Sequence, residues 1–580
     1  MHLNKTTKTL CLFFFLFFAC FELNAQNQFF LVKGGQSSYC IALPKDASSE
    51  EKKGAEELQK YLQKFTGAQL VINQEGAVGT QKAIYIGNSE KARKSDIFAG
   101  VKNDGIKIAV RNGDLFIGGN SRKAPVYAVY SFFQKIVGVE YLAPNVWQTP
   151  KSRDVFVDEN FSLIENPTFI FRDIYNEIAY DPLYMDWHKI THALDRGAGY
   201  SEWGAFAHTS FRLVPPTTYF SKHPEYYSLI NGKRQAVQLC YSNPEVLSVL
   251  KQALERQVKS KPKAKYWFVA MEDVDKVCQC DNCKKEHDVY GVSGQLVRFV
   301  NNVAAAFPSE TIVTLAYDQT RFAPKPGVKP ASNVLICYAP SGAFHNVSYA
   351  SSANSTVDKH LQGWKAITNN LMIWDYTDFY SNVLLPYPTL PTFKANINYF
   401  KDNGIKYVYE EGFEKLKGGD LHELKTYVLA KLLWDPSLSQ EDLEKNFTEA
   451  YYGKAGKHVL EYLNALKANV AKEKSALRFW GGQQGYLKPQ YLEQYDRILD
   501  KAAKAVAGDS VLQERVDRTR IGVDYCLLTS DQPTKGLVST ILKKVSANGR
   551  KERFLRTAKT LGVENMKINK KAVSLSDLIK

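Results

Sequence analysis

Apolar residues recur with two different rhythms along this chain, and the change of rhythm marks its parts. In KDASSEEKKGAEELQKYLQKFTGAQL, residues Ala55, Leu58, Leu62 and Phe65 fall at helical spacing after a polar start, and Gly67 follows. That pattern predicts an amphipathic helix that stops at the glycine. The short runs AIYIG, IKIAV and LFIGG read as strands, and APVYAVYSFFQKIVG as a second amphipathic helix ending at Gly138. Residues 27–160 are therefore expected to form a small α+β domain with helices against a sheet.

Between 165 and 420 short β-rich runs recur: FIFRDIY (169–175), GAFAHTS (204–210), AVQLCYS (236–242), YWFVAMED (266–273), TIVTLAY (311–317), VLICYAP (334–340), LMIWDYT (371–377) and YVYEEGF (407–413). Helical patterns such as NPEVLSVLKQALERQVKS and SGQLVRFVNNVAAAF lie between several of them. Strands alternating with helices imply parallel β/α units, and eight of them imply a closed (β/α)8 TIM-like barrel. Each run carries polar residues at its C-terminal end, where barrel active sites are built. From 421 to 580 the pattern is helical, beginning with LHELKTYVLAKLLW and QEDLEKNFTEAYYG. No catalytic motif stands out there, and the expected role is to buttress the barrel.

Ahead of all this, Lys5 and Lys8 precede LCLFFFLFFACF, and small residues follow at LNAQ. The run is too short to span a bilayer and reads as a signal peptide, residues 1–25, cleaved after Ala25. Lipidation at Cys20, after Ala19, is the alternative fate, although Phe17 and Phe18 fit a lipobox poorly. An exported protein, periplasmic or at the cell surface, is the expectation. No later stretch of eighteen apolar residues occurs, so no membrane span is expected. The formal charge of +15 becomes +14 once Lys5, Lys8 and Glu22 leave with the leader. Lys and Arg are spread along the chain without a basic block or a nucleic-acid motif, so nucleic acid is not an expected partner. A solvated surface explains the charge, with an acidic glycan as the second reading. At 13% Phe, Tyr and Trp, the chain has aromatic faces enough for a large core and for stacking sugar rings.

Chemistry concentrates in YWFVAMEDVDKVCQCDNC, residues 266–283. Glu272 and Asp273 end an apolar strand, where low dielectric can separate two carboxyl pKa values as glycoside hydrolysis requires. Neighbours along a strand point to opposite faces, so both reach one site only where the strand gives way to loop. A solvated acid pair is the alternative. Glu410 and Glu411 end the last run in the same way, and Glu411, before Gly412, is the better second carboxylate. Arg172 has a planar fork suited to sugar hydroxyls or a carboxylate; a salt bridge to Asp173 or Glu177 is the competing reading. Trp374 and Asp375 pair an aromatic wall with a hydroxyl acceptor, and His208 and Tyr338 are further substrate-binding candidates. Cys278, Cys280 and Cys283 have C-x-C-x2-C spacing, and Cys240 ends the preceding run. Four thiolates would make a closed structural zinc site; a disulfide from Cys240 to one of the three is the rival in an exported protein. No catalytic cofactor is expected. No P-loop, dinucleotide fingerprint or G-x-S-x-G elbow occurs, which sets aside phosphoryl transfer, dinucleotide chemistry and serine hydrolysis.

The segments AEELQKYLQKFTGAQL, AIYIGN, LFIGGN and APVYAVYSFFQKIVGVEYLAP resemble the domain that precedes the barrel in family 67 α-glucuronidases and family 20 hexosaminidases. YFSKHPEYYSLINGKRQAVQLCYSNPEV, EDVDKVCQCDNC and LKTYVLAKLLWDPSLSQEDLEKNFTEAYYGKAG resemble domain-of-unknown-function family 4838, a group that includes the family 163 endo-β-N-acetylglucosaminidases. The two resemblances cover roughly residues 27–460. They imply an exported hydrolase of an N-acetylglucosamine-containing glycan, with Glu272 or Asp273 as general acid and the other, or the substrate acetamide, stabilising the cationic transition state. Family 20 sites place Asp before Glu, the reverse of Glu272–Asp273, so the roles within the pair are open. Arg172 falls where family 20 barrels keep a first-strand Arg. The family 67 scheme would instead draw on Asp375 and Glu411 and act on uronic-acid glycans. A barrel that binds a glycan without cleaving it is the third reading.

Overall fold

The computed structural model describes residues 28–193, 201–413, 417, 419–529, 537–563, 567–568, 571–572 and 574. The leader and Cys20 lie outside the described residues. Two compact units divide the chain: one runs to Tyr141 and resumes over Trp147–Pro167, the other takes Leu142–Val146 and everything from Thr168.

The first unit is a six-stranded mixed sheet in the order Ser162–Glu165, Ile106–Arg111, Asp114–Gly118, Ala83–Ile86, Cys40–Leu43 and Ile72–Gln74. Its long helix, Ser49–Thr66, begins at a capping box in which Ser48 and Glu51 satisfy each other's backbone N–H groups. It ends at Gly67, where φ is 88°, a left-handed conformation that glycine adopts without steric cost. The second helix, Ala124–Phe132, runs on through one wider turn to Gly138. Its residues are buried all round, which fits the apolar sequence better than an amphipathic surface helix.

The second unit holds a seven-stranded parallel sheet in the order Phe171–Tyr175, Tyr407–Glu411, Leu371–Tyr376, Val334–Tyr338, Thr311–Ala316, Tyr266–Phe268 and Trp203–Ala205. Helices such as Pro244–Ser260 and Phe393–Asp402 connect the strands and bury a single stripe, in the first case Val246, Leu250, Ala253 and Leu254. One apolar cluster draws on all seven strands, among them Phe171, Phe268, Leu335 and Tyr409. The two edge strands meet through the Phe171 and Trp203 rings, whose centroids are 4.7 Å apart. The sheet thus curls around a filled interior as a TIM-like barrel. The helices beyond 421 fall in the same unit. No helix among the described residues is long and apolar enough to cross a membrane.

The third expected strand departs from this plan. AVQLCYS does not join the barrel sheet; Lys233–Leu239 pairs antiparallel with Tyr227–Ile230 in a separate hairpin. The turn is Asn231–Gly232, with φ of 49° and 76°. Asn-Gly is the commonest pair for a turn that needs positive φ at both positions, so the sequence carried the hairpin signal.

Strand alternation also decides the fate of Arg172. Phe171 belongs to the barrel interior, so Arg172 points outward. It is buried, donates through Nε to the Lys189 carbonyl at 3.0 Å and through Nη1 to the Phe169 carbonyl, and lies 5.2 Å from the Trp434 ring centroid. It pins the barrel wall to the following helix and does not line the cavity at the C-terminal ends of the strands. Arg172→Ala is expected to cost roughly 3 kcal/mol, because two buried carbonyls lose charged donors. Urea unfolding would read the loss, while the KM of the folded fraction should stay unchanged.

Candidate active site

At the C-terminal ends of the barrel strands lies a cavity of about 360 Å³, within the usual range for small-ligand pockets. Strand register explains its floor. Tyr175, Glu411 and Tyr376 are partners in one row across three neighbouring strands, and all three line the cavity. One residue earlier, Ile174, Glu410 and Asp375 form the row that faces outward. Glu410 and Asp375 therefore do not reach the cavity. Asp375 is buried against Tyr349, whose hydroxyl donates to Oδ1, and His345 Nδ1 lies 3.4 Å from the same oxygen. Burial, and then the charge of Asp375, pushes the Glu410 carboxyl well above the usual carboxylate range. Tyr338 is turned outward too, its hydroxyl donating to the Val357 carbonyl at 3.1 Å.

Glu411, unlike Glu410, lines the cavity. Burial pushes its pKa up to about 7; hydrogen bonds from Trp374 and Tyr380 oppose the shift, and Asp273 and Asp378 add to it. The Trp374 Nε1–H donates to Glu411 Oε2 at 2.6 Å. Gly412, the next residue, admits a close backbone approach: a Cβ there would come within 2.9 Å of Asp378 Oδ2, and its N–H donates to the Tyr175 carbonyl at 3.1 Å.

Glu272 and Asp273 part company. The strand ends at Phe268, and alternation no longer governs the loop that follows. Asp273 lines the cavity. Glu272 turns away: its Oε1 accepts from the Phe211 N–H at 2.8 Å. Its backbone is held on both sides by Gln238, which accepts from the Glu272 N–H at 3.1 Å and donates to its carbonyl at 3.2 Å. Tyr317 stands beside Asp273, and its phenol is pushed up by burial first and by Asp273 next.

His208 reaches the cavity after Ala207, whose φ of 66° is uncommon for a residue with a side chain. His208 Nδ1 lies 2.6 Å from the Met271 carbonyl. A carbonyl only accepts, so Nδ1 carries the proton and Nε2 is left to accept within the cavity when the ring is neutral. Trp374 lies flat against Phe206, with centroids 5.3 Å apart at 20°. Arg212 is the one Lys or Arg lining the cavity among the described residues.

Two walls come from the region expected only to buttress. Phe479 stacks on Tyr376 at 4.0 Å with the rings parallel to within 1°, and Trp480, 53% exposed, lies 5.3 Å from Tyr380. Both line the cavity. Nothing in FWGG announces this, since the contact joins positions a hundred residues apart. The structure thus gathers Asp273, Glu411, His208 and Trp374 from the expected residues, and leaves out Glu272, Glu410, Asp375, Arg172 and Tyr338.

The cysteines form a separate group. The sulfurs of Cys240, Cys278, Cys280 and Cys283 all lie within 4.8 Å of one another, none is in a disulfide, and none lines the cavity.

The sequence pattern of the family described as "Domain of unknown function (DUF4838)" matches residues 141–464. No curated protein sequence matches the chain. Among solved structures, the fold is similar to that of BtGH115A, described as a GH115 4-O-methyl-α-glucuronidase with specificity for decorated arabinogalactans. The TM-score is 0.54 at 11% identity, over 93% of this chain and 78% of that one. CpGH84B aligns over 96% of this chain and 97% of its own, with a TM-score of 0.42 and 11% identity.

Proposed function

The chain belongs to the DUF4838 family, and from that premise we propose that it is an exported glycoside hydrolase acting on an N-acetylglucosamine-containing glycan in the cavity above the barrel. The observation that carries this reading is the pairing of two carboxyls in one aromatic-walled cavity, Glu411 with its pKa near 7 and Asp273 beside Tyr317. A proton donor poised near neutral pH and a second carboxylate are the two parts that glycosidic cleavage needs.

In this reading Glu411, rather than Glu272, gives its proton to the leaving glycosidic oxygen. As the C–O bond breaks, positive charge grows on the anomeric carbon. The Asp273 carboxylate meets that charge directly or by orienting the substrate acetamido oxygen. Water then completes the hydrolysis and Glu411 recovers a proton. Trp374, Tyr376 and Trp480 offer ring faces to the apolar side of a sugar, and His208 Nε2 accepts from a hydroxyl. Incubating the full-length protein with N-glycans and with uronate polymers, and weighing the released sugars, tests the assignment. Cleavage of neither would leave a glycan-binding barrel.

Arg212 favours a second reading, hydrolysis of a uronic-acid glycan, because a lone guanidinium in the cavity suits a substrate carboxylate. The fold shared with a protein described as a glucuronidase accords with it. Arg212→Gln separates the two. Turnover of an N-acetylglucosaminide should stay within about threefold of the parent, whereas a uronate hydrolase would lose roughly a hundredfold in kcat/KM with its charged partner.

A further inference from the structure

We propose that Cys240, Cys278, Cys280 and Cys283 bind one zinc ion as a closed structural site, and that this site holds the segment carrying Asp273 in place; the second half rests on the functional reading above. The spacing of the sulfurs argues for a metal. Cys240 Sγ lies 3.7 Å from Cys280 Sγ and 3.8 Å from Cys283 Sγ. Four sulfurs about 2.3 Å from a tetrahedral zinc are separated by roughly 3.8 Å. A disulfide would bring two of them to about 2.05 Å, and a thiol cluster packed only as small hydrophobes has no reason to converge on one centre.

The surroundings fit thiolates. The Leu229 N–H donates to Cys278 Sγ at 3.3 Å, and Arg234 Nη1 stands 4.0 Å from the same sulfur. Cys283 lies in the first turn of the helix Asp281–Ala304, where unpaired N–H groups favour an anion. The Ser242 hydroxyl is 3.1 Å from Cys283 Sγ and can donate to it. Zinc with four thiolates carries two negative charges, which Arg234 partly offsets. Soft sulfur donors select zinc over calcium or magnesium, and four protein ligands leave no open position for substrate.

The same residues frame the Asp273 loop from both ends. Cys240 terminates the hairpin whose Gln238 clamps the Glu272 backbone, immediately before Asp273. Cys278 and Cys280 lie just beyond, and the Gln279 N–H donates to the Leu229 carbonyl of the hairpin at 2.8 Å. Residues 273–276 between them are exposed, so their course depends on where the two ends are tied. Metal binding ties hairpin, loop and helix at one point.

The test uses the full-length protein purified without chelator. Elemental analysis is expected to find one zinc per chain. Replacement by Co2+ should give the intense visible bands of tetrahedral thiolate coordination, and Cys280→Ser with Cys283→Ser should cut metal content about tenfold or more. Stripping the metal from the unmutated chain should lower Tm and speed amide exchange in 272–280 about tenfold, with 371–376 unchanged. Metal-free protein with its thiols paired as disulfides overturns the site. Zinc-bearing protein whose 272–280 exchange ignores stripping overturns the positioning role. Both readouts need no substrate, so a zinc-loaded chain that responds this way yet cleaves no glycan upholds the site and defeats the hydrolase reading instead.

Discussion

Glu411→Gln is expected to lower kcat by about a thousandfold, the size of effect that follows loss of a positioned general acid. The amide keeps the shape and the acceptor for the Trp374 Nε1–H but has no proton to give. The loss should be smallest for substrates with good leaving groups, which need little protonation. The pH dependence carries the sign. On the proposed reading the reaction requires Glu411 protonated, so kcat should fall as pH rises through about 7, and the Gln variant should lose that limb. Stability falls over the same pH range. A carboxyl whose folded pKa is raised binds more protons folded than unfolded, so it destabilises progressively as pH climbs from the unfolded value near 4.5 through about 7. At pH 8 the Gln variant should therefore be more stable than its parent, by on the order of 2 kcal/mol, readable as a higher Tm. An unchanged kcat would remove Glu411 from the reaction.

Asp273→Asn should be nearly as damaging, with kcat down roughly a hundredfold to ten-thousandfold, because on the proposed reading it removes the charge that meets the oxocarbenium-like state. Its neighbour is the control. Glu272→Gln keeps an acceptor for the Phe211 N–H and should change kcat only a few-fold, with a stability cost of about 1 kcal/mol from the weakened hydrogen bond. Kinetics on both variants with one glycan substrate, beside urea unfolding, read the contrast. Equal losses in the two would mean that the pair acts together and that the separation of Asp273 from Glu272 is wrong.

The barrel was legible because each apolar run is long enough to show its polarity at one end. Which acids face inward was legible as well, once the row is counted. Trp374 and Tyr376 share a face that excludes Asp375, and Tyr409 and Glu411 share one that excludes Glu410. Arg172 follows the same rule. The rule fails after Phe268, where hydrogen bonds to Gln238 and Phe211, not strand geometry, send Glu272 and Asp273 apart. Those partners are distant in sequence, and no periodicity encodes them. The hairpin resembles a barrel strand for a different reason: AVQL has strand chemistry, and only the Asn231–Gly232 pair before it distinguishes a tight antiparallel return from a barrel strand.

Phe479 and Trp480 close the cavity from a short excursion between helices, on backbone that is no part of the barrel. On the proposed reading, substrate preference and the catalytic carboxyls are thereby written on separate pieces of chain. Related proteins could diverge in the glycan they accept by rewriting residues 477–482 alone, keeping the acid chemistry intact, and grafting that excursion onto a relative would be a direct route to exchanging selectivity.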